Sequence, residues 1–136
     1  MHYALVTGSA GLIGSEMARF LDNKGMGILG IDNDMRREFF GDEASTDWNR
    51  KDLQKHCKNY RHFSVDIRSE KDVDRVFFEY NKDIRLIVHA AAQPSHDWAA
   101  RDPVKDFTIN ANGTLTLLEA ARKHCPDTVF INLSTN

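Results

Sequence analysis

At 136 residues, 41 % of them hydrophobic, the chain is long enough for one domain with its own core. A formal net charge of −2, with no basic stripe and no acidic block, leaves no footprint for nucleic acid and none of the patterning of a solvated tail. Apolar runs stop short of a membrane span, nothing resembling a signal peptide precedes Tyr3, and Cys57 and Cys125 stand apart in polar contexts, so the expectation is a cytoplasmic protein with free thiols, no membrane partner and no zinc framework.

In chain order, Tyr3–Thr7 reads as a first buried strand. A helix follows on which Ile13, Met17, Phe20 and Leu21 share one face, with Gly25 as its stop. Ile28–Asp32 is the second strand. The stretch from Asn33 to Tyr60 is long for a connection and carries a short helix near Trp48–Cys57; such lengths are functional or hold structure of their own. Arg61–Asp66 is the third strand. Ser69 with Asp72 then resembles a capping box ahead of the face Val73, Val76, Phe77 and Tyr80. Arg85–His89 is the fourth strand. Pro103 suits the first turn of a long helix with the face Val104, Phe107, Ala111, Leu115, Leu118 and Ala121, and Thr128–Leu133 is the fifth strand. Alternating strand and helix is the signature of right-handed βαβ units around a parallel sheet.

The loop Thr7-Gly8-Ser9-Ala10-Gly11-Leu12-Ile13-Gly14 lies between the first strand and its helix. Gly8 permits a tight turn, Gly11 lets backbone approach a pyrophosphate, and Gly14 lets the helix pack on the sheet, while the helix N-terminus offers N–H groups to phosphates. Leu12 and Ile13, inside the glycine triplet, belong to the same cofactor contact. Asp32, at the end of the second strand, is placed to accept hydrogen bonds from both ribose hydroxyls and to repel a 2′-phosphate, which selects NAD over NADP. Arg36 and Arg37 argue the other way, but Asp34 beside them adds negative charge.

Several stretches together resemble the extended branch of the short-chain dehydrogenase/reductase superfamily, the NAD-dependent epimerases and dehydratases. They are the glycine loop, Asp32-Asn33, Asp66-Ile67, His89–Ala92, the helix from Asn110 through Gly113 to Ala121, and the end Leu133–Asn136. Ile31–Gly41 with Glu43–Trp48, and Ala92–Ala100, are similar to the CDP-paratose 2-epimerase (CDP-tyvelose epimerase) subgroup. The resemblance implies that Asp66 and Ile67 meet the adenine and that Ala90, Ala91 and Ala92 pass beneath the ribose or nicotinamide. It also implies that Asn110 supports the cofactor side of the site. The expected fold is a doubly wound Rossmann domain over 1–136, three layers α/β/α, with about five parallel strands in the order 3-2-1-4-5. The implied activity is epimerisation of a nucleotide sugar, CDP-linked in this subgroup, by transient hydride transfer to bound NAD. Thr135 is placed where the family has its substrate-orienting hydroxyl, with Ser134 as the near alternative.

One departure matters. The family's acid/base pair is Tyr-x-x-x-Lys, and here Tyr3, Tyr60 and Tyr80 are followed four residues on by Thr7, Ser64 and Ile84. The 136 residues are therefore expected not to turn over by themselves, the catalytic pair and a sugar-binding domain lying outside them. The alternatives are a dehydratase or decarboxylase of the same branch, and a non-catalytic dinucleotide-binding module. Gln93, Ser95 and His96 are candidates for a substrate-facing loop. The same stretch also reads as a helix start capped by Ser95 or Asp97 with Trp98 in the core. Phe39 and Phe40 read as packing residues and Arg36 and Arg37 as surface arginines. An exposed apolar edge on the fifth strand predicts self-association. No histidine or cysteine spacing suggests a metal.

Overall fold

The computed structural model describes residues 1–134. Its strands are β1 (Tyr3–Thr7), β2 (Gly27–Ile31), β3 (Tyr60–Phe63), β4 (Ile84–His89) and β5 (Val129–Asn132). They form one parallel sheet in the order β3-β2-β1-β4-β5, as the sequence suggests. The helices are α1 (Leu12–Asn23), α2 (Met35–Phe40), α3 (Asp47–His56), α4 (Glu70–Tyr80), α5 (His96–Arg101), α6 (Pro103–Phe107) and α7 (Gly113–His124). Short 3-10 turns occupy Asp42–Ala44 and Asn81–Asp83, and a π-turn spans Thr108–Asn112. Ala4, Leu5 and Val6 are fully buried, since β1 is central and covered on both faces. One cluster joins Leu5, Leu29, Ile87, Val73, Phe77 and Leu117; the other joins Ala4, Val6, Ala18, Ile28 and Leu53.

Two helical faces differ from expectation. On α1, Ile13 and Phe20 are exposed, and Gly14, Ala18 and Leu21 take the buried side. Small residues win there because they let the helix backbone close on the sheet. A Cβ at Gly14 would stand 2.0 Å from the Gly8 carbonyl oxygen. In the last helical stretch Val104, Phe107, Leu115 and Leu118 face solvent, whereas Ile109, Leu117, Ala120 and Ala121 are buried. The π-turn inserts an extra residue into the ladder and rotates the later face away from a simple 3.6 repeat.

Ser69 caps α4, its Oγ accepting from the Asp72 N–H and donating to the Asp72 carboxylate at 2.9 Å. Asp102 caps α6, with Pro103 in the first turn. Asp22, buried near the end of α1, accepts the Lys58 and Asn59 N–H groups, each at 3.0 Å, and so fixes the entry to β3. Strands β2 and β3 end before Asp32 and Asp66, leaving both carboxylates in the loops at the carboxyl edge of the sheet.

Phe77 and Phe78 test which face of α4 is core, the first fully buried and the second 68 % exposed. Phe77→Ala should cost about 3–5 kcal/mol by denaturant unfolding, and Phe78→Ala less than about 1 kcal/mol. Equal losses would contradict the assigned face.

Candidate functional site

A groove of about 330 Å³ opens at the carboxyl ends of β1, β2 and β4, beside the point where the strand order reverses. Its walls include Gly8, Gly11, Leu12, Ile13, Gly14, Asp32, Asn33, Asp66, Ile67, Ala90, Ala91 and Ala92, every residue the sequence assigned to the cofactor except Asn110.

The floor is the glycine loop. Gly8 has φ +64°, and a Cβ there would meet the Ala91 nitrogen at 2.9 Å, so only glycine serves where β1 and β4 hand over to the groove. Gly11 stands at the N-cap of α1 and supplies no side-chain cap. The N–H groups of Leu12 and Ile13, in the first turn, have no intrahelical partners, and both residues line the groove at the positive end of a twelve-residue helix.

Asp32 faces this floor. Its Oδ2 accepts the Ala10 N–H at 3.1 Å and its Oδ1 the Asp34 N–H at 2.8 Å. A carboxylate has about four lone-pair positions, so acceptor capacity remains for a ligand. Asp34 is left-handed, with φ 56°, and accepts from Ser45 Oγ at 2.6 Å and the Thr46 N–H at 2.8 Å, closing the 41–47 loop onto the turn. On the opposite wall Arg68 grips both oxygens of Asp66, Nη2 to Oδ2 at 2.6 Å and Nε to Oδ1 at 3.0 Å. Burial disfavours the Asp66 charge, but the guanidinium and N–H of Arg68 outweigh it and hold the carboxyl below its usual range.

Ala90 and Ala91 are held from beneath. Thr7 Oγ1 accepts both their N–H groups, at 3.2 and 3.1 Å, and lies 2.7 Å from His89 Nδ1. With those acceptances made, the Thr7 hydroxyl proton goes to Nδ1. On the far side Thr114 Oγ1 donates to the Asn110 carbonyl at 2.7 Å, so at 2.8 Å from His89 Nε2 it accepts the Nε2 proton. The imidazole is thereby fixed as the neutral Nε2–H tautomer. Burial pushes its pKa down to about 4. Asn110 itself acts one step back from the groove, its amide spanning the Gln93 N–H at 2.9 Å and the Gln93 carbonyl at 3.1 Å.

In the loop after β4 the three substrate-loop candidates do not themselves line the groove. Gln93 is buried, and its side chain bonds the Ser95 backbone and Asp106. Ser95 caps α5, and His96 is exposed in that helix's first turn. Pro94 joins Ala90, Ala91 and Ala92 on the groove wall. Trp98 packs edge-on to Phe39 at 5.4 Å and donates to its carbonyl at 2.9 Å, which ties this loop to α2. Ser134 belongs to the described chain; Thr135 lies outside the described residues.

Sequence reasoning missed several contributors. Thr46 lines the groove with no sequence signal; Arg36, weighed in the sequence for a 2′-phosphate and otherwise read as surface, and Phe40 line it too, as does Phe39, which packs in the core as its sequence reading has it. Asn49 reaches the glycine loop from α3, its Nδ2 donating to the Ala10 carbonyl at 2.8 Å. Tyr60 stands behind the loop with its hydroxyl 3.0 Å from Ser9 Oγ; burial pushes its pKa up to about 12, so it supports the loop as a neutral phenol. Only the length of the 33–60 connection hinted at any of this.

Residues 4–136 match the NAD dependent epimerase/dehydratase family. CDP-paratose 2-epimerase of Salmonella typhi is 33 % identical over 97 % of this chain and 36 % of its own length. UDP-glucuronate 4-epimerase of Thermodesulfobacterium geofontis is 32 % identical over 88 % of this chain and 35 % of its own. Among solved structures, UDP-glucose 4-epimerase of Bifidobacterium longum in complex with NAD+ and UDP superposes with a TM-score of 0.79 at 28 % identity, over 98 % of this chain and 37 % of that one. The Thermus thermophilus UDP-glucose 4-epimerase complex with NAD gives 0.69 at 33 % identity, over 90 % and 34 %. The chain thus spans about a third of the length of these relatives.

His89 generates a pH prediction. Its folded pKa lies below the unfolded value of about 6.5, so its contribution is fully present above that pH and is lost as pH falls toward 4. Stability should decline by up to about 1.4 kcal/mol per pH unit in that window beyond the decline of His89→Gln, read from denaturation midpoints. Parallel pH profiles for the two proteins would contradict the buried neutral imidazole.

Proposed function

We propose that this chain, which belongs to the NAD dependent epimerase/dehydratase family, is the NAD-binding portion, over 1–136, of a nucleotide-sugar epimerase. The observation that carries the reading is the pairing of uncapped Leu12 and Ile13 N–H groups with the Asp32 carboxylate in one groove. A dinucleotide needs both an anion site and a ribose acceptor at the carboxyl edge of the sheet. NAD supplies a nicotinamide that stores and returns a hydride. The chain's own residues bind and orient it: the α1 N-terminus takes the pyrophosphate, Asp32 the adenosine ribose, Asp66 and Ile67 the adenine, and Ala90–Ala92 the nicotinamide side. Asn110 keeps that last wall in place through Gln93.

For the substrate we propose a CDP-linked sugar, supported by likeness to CDP-paratose 2-epimerase across most of this chain and by the subgroup-like stretches Ile31–Trp48 and Ala92–Ala100. Thr135 is the proposed substrate-orienting hydroxyl. His96, exposed on the same edge, and the turn built by Gln93 and Ser95 are its proposed neighbours toward the sugar. No Tyr-x-x-x-Lys occurs in the 136 residues, so these residues alone bind without turnover. A second reading, a dehydratase, is supported by 33 % identity over 133 residues to a probable dTDP-glucose 4,6-dehydratase of Sinorhizobium fredii. We place the protein in the cytoplasm, a reading supported by its free Cys57 and Cys125. Among the described residues no helix is long and apolar enough to cross a membrane. We also propose self-association through the β5 edge, where Val129 and Ile131 are exposed.

Calorimetric titration should give NAD tighter than NADP by about tenfold or more, with the preference lost in Asp32→Ala. No NAD binding, or a preference that survives Asp32→Ala, would sink the assignment. In sedimentation the chain should associate with rising concentration and Ile131→Lys should associate less; a monomer throughout would contradict the edge contact.

A further inference from the structure

We propose that Asn49 is a positioning residue for the dinucleotide's pyrophosphate, acting through the Ala10 peptide of the glycine loop. The inference rests on the NAD-site reading and adds to it a residue more than thirty positions away in sequence.

Asn49 is a polar side chain only 5 % exposed, on α3, inside the 33–60 connection. Its amide orientation is fixed by chemistry. On one side is the Arg19 guanidinium, which only donates, with Nη2 at 2.7 Å from Asn49 Oδ1. On the other is the Ala10 carbonyl, which only accepts, at 2.8 Å from Nδ2. Flipping the amide would oppose donor to donor and acceptor to acceptor. Arg19 is itself held, by Asp52 at 2.9 Å and Glu16 at 3.0 Å. The preceding peptide nitrogen, that of Ala10, donates to Asp32 Oδ2.

Ala10 is therefore gripped at its N–H by a residue that opens the connection and at its carbonyl by one from the helix inside it. The carbonyl of Ala10 belongs to the same rigid peptide as the N–H of Gly11, which donates to Gly8 O at 3.0 Å. Turning that peptide would tilt the first turn of α1, where the unpartnered Leu12 and Ile13 N–H groups stand. Asn49 thus sets the direction of an anion site it does not touch. A backbone donor array serves a diphosphate only when it is held before the ligand arrives.

The test uses Asn49→Asp and Asn49→Leu in the full 136-residue chain. The aspartate keeps the shape and the Arg19 partner but puts an acceptor against the Ala10 carbonyl; the leucine removes polarity without adding charge. Both should weaken NAD and ADP about tenfold, a lost buried hydrogen bond's worth, while adenosine, which carries no phosphate, loses less than about twofold. Amide exchange at Ala10 and Gly11 without ligand should be faster in both variants. A merely structural Asn49 would lower all three ligands alike, and that result would overturn the proposal, as would unchanged exchange and unchanged ligand ratios. If one variant fails to fold, the other carries both readouts. Failure of the unsubstituted chain to bind NAD would instead overturn the proposed function, and amide exchange would still decide whether Asn49 holds the loop.

Discussion

The contact on which this structure depends is the approach of α1 to the end of β1. Gly14 sits so near the Gly8 carbonyl that a single Cβ would fall at 2.0 Å, well inside van der Waals distance. That closeness seats the helix N-terminus over the carboxyl edge of the sheet. Everything placed around the groove follows from it. Gly8 turns in the left-handed region because β1 must end there, and Ala90 and Ala91 lie against it because β4 is the neighbouring strand.

An anion site made of backbone must be braced, since N–H groups on a glycine-rich loop carry little conformational restraint of their own. Two braces are present. Behind β4, the chain Thr7, His89, Thr114 and Asn110 has a defined direction at every proton, and it holds the Ala90–Ala91 shelf from below. Beside β2, the long connection returns Asp34, Thr46 and Asn49 to the site. In both, buried polar groups are fully engaged, the condition under which such networks confer rigidity without leaving an unsatisfied group.

How far the sequence revealed this depended on range. The glycine-loop turn and the Ser69 cap were legible because each rests on spacing within a few residues, whereas the strand order came with the family resemblance. The α1 face was misjudged because large apolar residues were given the core, when close backbone approach favoured Gly14 and Ala18 and left Ile13 for the groove. The α7 face was misjudged because a π-turn at Thr108–Asn112 breaks the periodicity on which it was read. For Gln93 and Ser95 the sequence left a ligand loop and a helix start both open; Ser95 does cap α5, and Gln93 is buried in the turn before it, a contact that letters alone did not suggest. Asn49 carried no signal, since its partner lies 39 residues earlier and is a backbone carbonyl that any residue would supply.

The central claim is that the α1 N-terminus and Asp32 form one dinucleotide site, and amide chemical-shift mapping during an NAD titration tests it most directly. The largest shifts are expected at Gly11, Leu12, Ile13 and Gly14, with further shifts at Asp32–Asn33 and Ala90–Ala92. Shifts confined instead to the α4–α7 surface around Arg68, Glu119 and Lys123, with the glycine loop unmoved, would contradict it.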